Sequence, residues 1–363
     1  MNYKILAKRG ALVVENKLRK FIGMKPHRKL IVQIELAGKC SANCEFCDWT
    51  NRPKDQHIYM NTEYAKKAVK EAKELGASYI SFHVTGESLT HPDLFEIMPD
   101  DGYIGLSTNC LALEGEIADK IANKRNLNLI LAVLWAEPKE KREKSLANAI
   151  AFLNKNPKCA DISVQMICSE HSTPYAKFMY DTFSPYLDKL DQLKLFYKQP
   201  YVQEPEYPYL GYIPEGVVES KRVCIDRMET PQACGSDCLA ISPNPMSSIL
   251  IQVDGEIKPC FYRPNDPLKK KNAPLAYQNG WGMGHIKNTA LKEYWNSEKL
   301  KQMRRIWAKG DPNNELPCHN CIRMVVPRGN PVWWMTTGVP PKELDCHQAL
   351  KGGTVDPYPQ PDE

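Results

Sequence analysis

Cys40-Ser41-Ala42-Asn43-Cys44-Glu45-Phe46-Cys47 spaces three cysteines as C-x3-C-x2-C. The stretch follows the apolar run Leu30-Ile31-Val32-Gln33-Ile34-Glu35-Leu36, which reads as a strand ending in a loop. Thiolates on a loop at the C-terminal end of a strand can curl around one metal centre. Three thiolates are one fewer than the usual set for an iron–sulfur cube, so one iron is left for a ligand that is not protein. An open position marks a reactive metal site, by the logic known for zinc. A zinc knuckle or a structural cluster would need a fourth protein ligand, for which Asp48 and His57 are the nearby candidates.

The composition frames this motif. A chain of 363 residues accommodates two domains, or one large α/β domain with an appendage, and a hydrophobic fraction of 42% supports a sizeable core. The net charge of +5 is mild and the basic residues are scattered, so nothing marks a nucleic-acid partner. Lys269-Lys270-Lys271 and Arg304-Arg305 read as solvated surface. No apolar run reaches the roughly 18 residues of a membrane span, and the N-terminus, Met1-Asn2-Tyr3-Lys4, lacks the apolar core of a signal peptide. The expectation is a cytoplasmic protein with no membrane partner. Thiols stay reduced there, so thirteen cysteines ask for metal rather than disulfides.

Outward from the cysteine loop the chain alternates. Before it, residues 5–22 read as a basic amphipathic helix within an N-terminal segment, 1–28. After it, Met60-Asn61-Thr62-Glu63 offers a cap for a helix that runs to Leu75 and closes at Gly76. Further strands are predicted near 79–84, 103–107, 129–134, 162–167 and 193–197. The helices between them are predicted near 116–123, 140–153 and 175–183. Short strands alternating with helices predict parallel βαβ units. In barrels of such units the chemistry sits at the C-terminal ends of the strands, where the cysteine loop lies.

The cysteine spacing, with Phe46 before the last cysteine, resembles the signature of the radical S-adenosylmethionine (SAM) superfamily. The resemblance implies an α/β fold, a partial (β/α)6 TIM-like barrel over residues 29–200. It implies that Cys40, Cys44 and Cys47 hold a [4Fe-4S] cluster whose open iron chelates the amino and carboxylate groups of SAM. An electron from an external reductant such as flavodoxin or ferredoxin then cleaves SAM to methionine and a 5′-deoxyadenosyl radical, which removes a hydrogen atom from the substrate. Thr85-Gly86-Glu87-Ser88, after the second strand, is similar to the family's Gly-Gly-Glu-Pro motif. Gly86 and Glu87 carry over as contacts to the SAM amino group, while Thr85 and Ser88 depart from the pattern. Ser107-Thr108-Asn109-Cys110, after the third strand, is similar to the family's Thr-Asn-Gly stretch. Ser107 and Asn109 become SAM contacts, and Cys110 stands where the family has glycine. Cys168-Ser169-Glu170-His171 holds an equivalent position without aligning to a family motif.

Prolines cluster from Pro200 to Pro214 and read as a linker, 201–220. Cysteines then return at 224, 234, 238, 260, 318, 321 and 346. Ser248–Val253, an Asp254-Gly255 turn and a return strand read as a hairpin delivering Cys260. A helix follows with Leu291, Tyr294, Trp295, Leu300 and Met303 on its apolar side, and Cys318-His319-Asn320-Cys321 presents two thiolates to one centre. This order resembles the SPASM/twitch domain of many radical SAM enzymes, a small cysteine-rich α+β iron–sulfur domain expected here over 221–335, before a tail, 336–363. The resemblance implies one auxiliary [4Fe-4S] cluster on Cys238, Cys260, Cys318 and Cys321, with Cys224 and Cys234 as rivals for the first ligand. A second cluster on Cys224, Cys234 and Cys346 is the alternative count, and a zinc ribbon the alternative metal.

An auxiliary cluster that accepts a substrate electron fits a net two-electron oxidation. The expected function is therefore a radical SAM oxidoreductase that dehydrogenates a small, polar, carbohydrate-like substrate. The stretch before Cys40 is short for the leader-binding domain of many peptide-modifying relatives, so peptide crosslinking or epimerisation stands second. A non-catalytic zinc or iron–sulfur binding module is the reading from another class. No residue stands out as a general base; Tyr197, Tyr262, Arg263 and His285 fall in stretches suited to lining a pocket.

Overall fold

Each strand of the first two hundred residues pairs with the strand before it. In the computed structural model the described residues are 29–42, 44, 47, 57–134, 138–168, 175–197, 217–218, 220, 222–226, 246–259 and 283–308. Seven strands lie side by side in chain order and run parallel: β1 (Lys29–Ile34), β2 (Ala77–Ser81), β3 (Ile104–Thr108), β4 (Leu127–Ala132), β5 (Asp161–Cys168), β6 (Gln192–Tyr197) and β7 (Val223–Asp226). The helices between them are α1 (Thr62–Glu74), α2 (Leu94–Ile97), α3 (Gly115–Ala122), α4 (Lys139–Asn154) and α5 (Ala176–Phe183). Right-handed crossovers, the rule for parallel units, place helices that join strands in sequential order on one face of the sheet, and among the described residues α1 packs on β2 and α5 on β5 and β6. That single winding is the arrangement of the expected partial barrel.

The register shows why the sequence folds this way. Val32, Ile80, Ile104, Leu127, Leu129, Ile162 and Val164 are buried on one parity of the strands, where α1 packs on β2 and α5 on β5 and β6. Asn61 caps α1 as expected, its side-chain oxygen accepting from the amides of Glu63 (3.0 Å) and Tyr64 (3.2 Å).

Three expectations change. The sheet has seven parallel strands instead of six: β7 is four residues long, too short for a periodic signal, and lies in the segment read as auxiliary domain. β2 ends at Ser81 rather than 84, because after one more ladder bond, Phe82 N to Gly105 O (2.8 Å), the chain turns away into the next loop. The helix read through 291–303 is two helices, α6 (Leu291–Asn296) and α7 (Glu298–Ala308), parted at the extended Ser297; Trp295 is half-buried while Leu291, Tyr294, Leu300 and Met303 are buried.

The predicted hairpin is present as β8 (Met246–Ile251) and β9 (Ile257–Lys258), antiparallel, and it extends the sheet beyond β1, where Glu35 N donates to Ile251 O (2.9 Å). Residues Leu30–Met228 and Ser248–Leu300 form one compact unit. The second unit, Met1–Lys29, Glu229–Ser247 and Lys301–Glu363, is described at Lys29, Met246, Ser247 and the last turns of α7. The N-terminal helix, the 201–216 part of the linker and the tail lie outside the described residues. No helix among the described residues is long and apolar enough to cross a membrane.

Candidate active site

The cysteine loop is pinned at its base. Gly38 N donates to Ile58 O (2.8 Å) and Met60 N to Leu36 O (2.9 Å), so the chain leaves and rejoins β1 at one place. The Lys39 ammonium lies 4.5 Å from the centre of the Tyr59 ring, and Lys141 of α4 donates to Ser41 O (2.6 Å). Cys40, Cys44 and Cys47 are free thiols and half-buried. Cys40 and Cys44 pack against an apolar floor of Ala42, Leu111 and Leu134. Among the described residues no three His, Cys, Asp or Glu side chains gather tightly enough for a single ion, and Asp48 lies outside the described residues. A cube binds each thiolate through a different iron. Three half-buried cysteines outside any disulfide, with Cys40 and Cys44 packed against an apolar floor, suit that group. Burial foremost pushes the Cys40 thiol up to about 11, so metal binding there would release a proton.

Gly86 and Glu87 meet this loop directly. Gly86 has φ +72°, and a Cβ there would lie 2.0 Å from Ala37 O, so only glycine lets the second loop press on the first. Glu87 N donates to Lys39 O (2.8 Å). The Glu87 side chain is buried: one oxygen accepts from Leu89 N (3.1 Å), capping the short turn Ser88–Thr90, and the other accepts from Asn109 N (2.7 Å). Burial pushes its carboxyl up to about 7, against the pull of those amides and the Thr108 hydroxyl.

Asn109 closes the circuit. Its amide nitrogen donates to Cys40 Sγ (3.4 Å), and its side-chain oxygen accepts from Leu111 N (3.0 Å). Ser107 is buried in β3, two residues before it. Cys110 has φ +65°, the conformation that explains glycine in the resembling motif, and it is fully buried. Gly86, Glu87 and Asn109 thus converge on the cysteine loop.

Two tying residues escaped the sequence reading. Glu35, buried at the end of β1, accepts from Thr85 N (3.3 Å) and the Thr85 hydroxyl with one oxygen, and from Val253 N (3.1 Å) with the other. Thr85, which departs from the family motif, therefore has a partner. Ser145, buried in α4, donates to Asn109 O (2.8 Å) and accepts from Leu134 N (3.2 Å). A serine inside a helix gives no sequence signal, whereas a carboxylate ending an apolar strand gives one.

Cys234, Cys238, Cys260, Cys318, Cys321 and Cys346 lie outside the described residues, as do Ser169, Glu170, His171, Tyr262 and Arg263. The described hairpin stops at Pro259, next to Cys260, and is braced by Ile257 N to Gly284 O and Ile286 N to Gly255 O (both 2.8 Å). His285 is structural: its ring contacts Asp254 O (2.7 Å) and accepts from Lys287 N (3.0 Å).

Residues 238–322 match the family model of the SPASM iron–sulfur cluster-binding domain. Among solved structures, SuiB of Streptococcus suis bound to its precursor peptide SuiA is similar at 11% identity and TM-score 0.53, over 83% of this chain and 72% of that one. SuiB bound to S-adenosylmethionine gives 12% identity and TM-score 0.52, over 83% and 73%. The enzyme anSMEcpe with bound AdoMet gives 14% identity and TM-score 0.53, over 80% and 88%. No curated protein sequence matches the chain. The expected fold holds: an α/β barrel like that of these S-adenosylmethionine-binding structures, with residues 238–322 similar to the SPASM domain.

Proposed function

We propose that this chain is a radical SAM enzyme in which Cys40, Cys44 and Cys47 hold a [4Fe-4S] cluster with one iron open to S-adenosylmethionine. One observation carries the reading: the three-cysteine loop is pinned at the carboxyl end of β1 against Gly86, Glu87 and Asn109. When bound, cluster and SAM supply the one-electron cleavage that removes a hydrogen atom from an unactivated carbon. Gly86 lets backbone approach closely, and Glu87 and Ser107 offer acceptors to the polar groups of SAM. Asn109 orients the Cys40 sulfur. Cys238, Cys260, Cys318 and Cys321 hold an auxiliary cluster that takes the second electron, while a flavodoxin- or ferredoxin-type protein supplies the first.

The reaction is then a dehydrogenation of a small, polar, carbohydrate-like substrate. Peptide modification is the second reading, favoured by the likeness to SuiB with its precursor peptide and to anSMEcpe with the Kp18Cys peptide (13% identity, TM-score 0.51, over 80% and 88%). Anaerobic reconstitution tests the class. Wild type should bind about eight irons, the Cys40/Cys44/Cys47→Ala variant about four, and only wild type should form deoxyadenosine from SAM and dithionite. Zinc in both proteins and no deoxyadenosine would leave a binding module. Loss of two hydrogens from a cyclitol or from a peptide separates the two substrate readings.

A further inference from the structure

Alternate residues after β1 hold the second loop in step. The Glu35 side chain takes Thr85, a Cβ on Gly86 would lie 2.0 Å from Ala37 O, and Lys39 O accepts from Glu87 N (2.8 Å). The backbone makes the second and third of these approaches; the first depends on a side chain. Glu35 N itself turns the other way and donates to Ile251 O (2.9 Å), at the end of β8.

That side chain serves two segments. Glu35 is 1% exposed, between the fully buried Ile34 and Leu36. One oxygen accepts from Thr85 N (3.3 Å) and from the Thr85 hydroxyl, and the other accepts from Val253 N (3.1 Å), where the chain leaves β8 for its turn. The turn is fixed in its own right. Gly255 N donates to Gln252 O (2.8 Å), and the His285 ring contacts Asp254 O (2.7 Å). Behind it, Lys67 of α1 donates to Ile286 O and to Lys287 O (3.3 Å), and Glu71 of α1 accepts from Leu291 N (2.7 Å). β9 then leads to Pro259, the residue before Cys260. A polar group is buried at a loss unless it is hydrogen-bonded, and here both oxygens are. Aspartate is one methylene too short to span the two segments. Glutamine has a single acceptor oxygen and turns an N–H donor towards another N–H.

We propose that Glu35 is a positioning residue through which the auxiliary hairpin sets the Thr85-Gly86-Glu87 loop against the cysteine loop, so that a displaced hairpin weakens SAM binding. The effect on SAM rests on the radical SAM reading above; the mechanical coupling does not.

Amide hydrogen exchange on the full chain without cluster tests the coupling. In Gly255→Ala the new Cβ would lie 2.5 Å from the His285 ring at φ +92°, so the turn must shift. Exchange over 85–90 should quicken about tenfold while β4 is unchanged, and in a Glu35→Gln background the same change should add less than about twofold. A response confined to the hairpin, or full additivity with Glu35→Gln, overturns the coupling. Should Gly255→Ala fail to fold, His285→Ala, which removes the ring from Asp254 O, takes its place under the same criteria.

Equilibrium dialysis of the reconstituted chain tests the effect on SAM. Thr85→Val, which loses the hydroxyl and keeps the shape, should raise the dissociation constant about tenfold, and Thr85→Ser should stay within about twofold of wild type. Both should retain about eight irons. A Thr85→Val protein that loses stability but binds SAM as wild type does would overturn the proposal alone. A wild type that binds no SAM overturns the radical SAM reading, and the effect on SAM falls with it.

Discussion

Val32, Ile80, Leu129 and Val164 are buried on the strand parity where α1 and α5 pack, while their chain neighbours Gln33, Ser81, Asn128 and Gln165 lie on the other parity. The same strands thus carry two programmes, one residue out of phase. The outer parity supplies apolar burial, the term that holds a domain together. The other parity carries polar side chains, Ser81 and Ser163 buried and Gln33, Asn128 and Gln165 half-buried. The difference teaches that apolar and polar burial are separated here by the parity of a position, and substitutions can test the separation.

The largest effect belongs to the cysteine loop at the carboxyl end of β1. Cys40→Ala should abolish deoxyadenosine formation, read by chromatography after reconstitution, without unfolding the barrel; continued formation would break the assignment of the loop.

The sharpest comparison pairs neighbouring strands. Leu129→Ala, on the outer face and fully buried, should cost about 2–5 kcal/mol in urea unfolding, from lost transfer energy and the cavity left behind. Gln165→Ala, on the other parity and half-buried, should stay within about 0.5 kcal/mol. Equal costs would mean that both parities are packed core.

Glu87 gives a smaller, pH-dependent effect. Burial holds its carboxyl up to about 7, so in the free protein it carries a proton below that pH. If its charge meets the SAM ammonium, affinity should weaken about tenfold per unit as pH falls below 7 and level off above it. Equilibrium dialysis checks this, and Glu87→Gln should flatten the slope. The linkage to folding has a fixed sign. The folded carboxyl binds its proton more tightly than the ordinary value of 4.5, so Glu87 lowers stability progressively as pH rises from there to about 7 and by a constant amount above.

Much of this was legible because its signals are local. The cysteine spacing, the Asn61 cap, the Asp254-Gly255 turn and the strand–helix alternation each lie within a few residues. Glu35 was illegible for the opposite reason: its partners Thr85 and Val253 lie 50 and 218 residues away. β7 had too few residues to show a period. Asn109, expected at SAM, spends its amide on Cys40, 69 residues distant, a contact no spacing rule reports. The alternation Asp161-Ile162-Ser163-Val164-Gln165-Met166 was in plain view as a two-faced strand, yet which neighbours flank each face follows only once the sequential strand order is known.

Cys110 sets the smallest expected effect, and its near-cancellation is informative. A non-glycine residue at φ +65° pays about 1 kcal/mol or more. Cys110→Gly would remove that strain and lose a buried thiol that packs without water. The two terms are of similar size, so the net change should be within about 1 kcal/mol. Cys110→Val keeps the burial but forces a β-branched side chain into the same backbone, so it should be the less stable variant by thermal unfolding. Were Cys110→Val the more stable, burial would outweigh backbone strain, and the glycine of the resembling motif would need an explanation other than this turn.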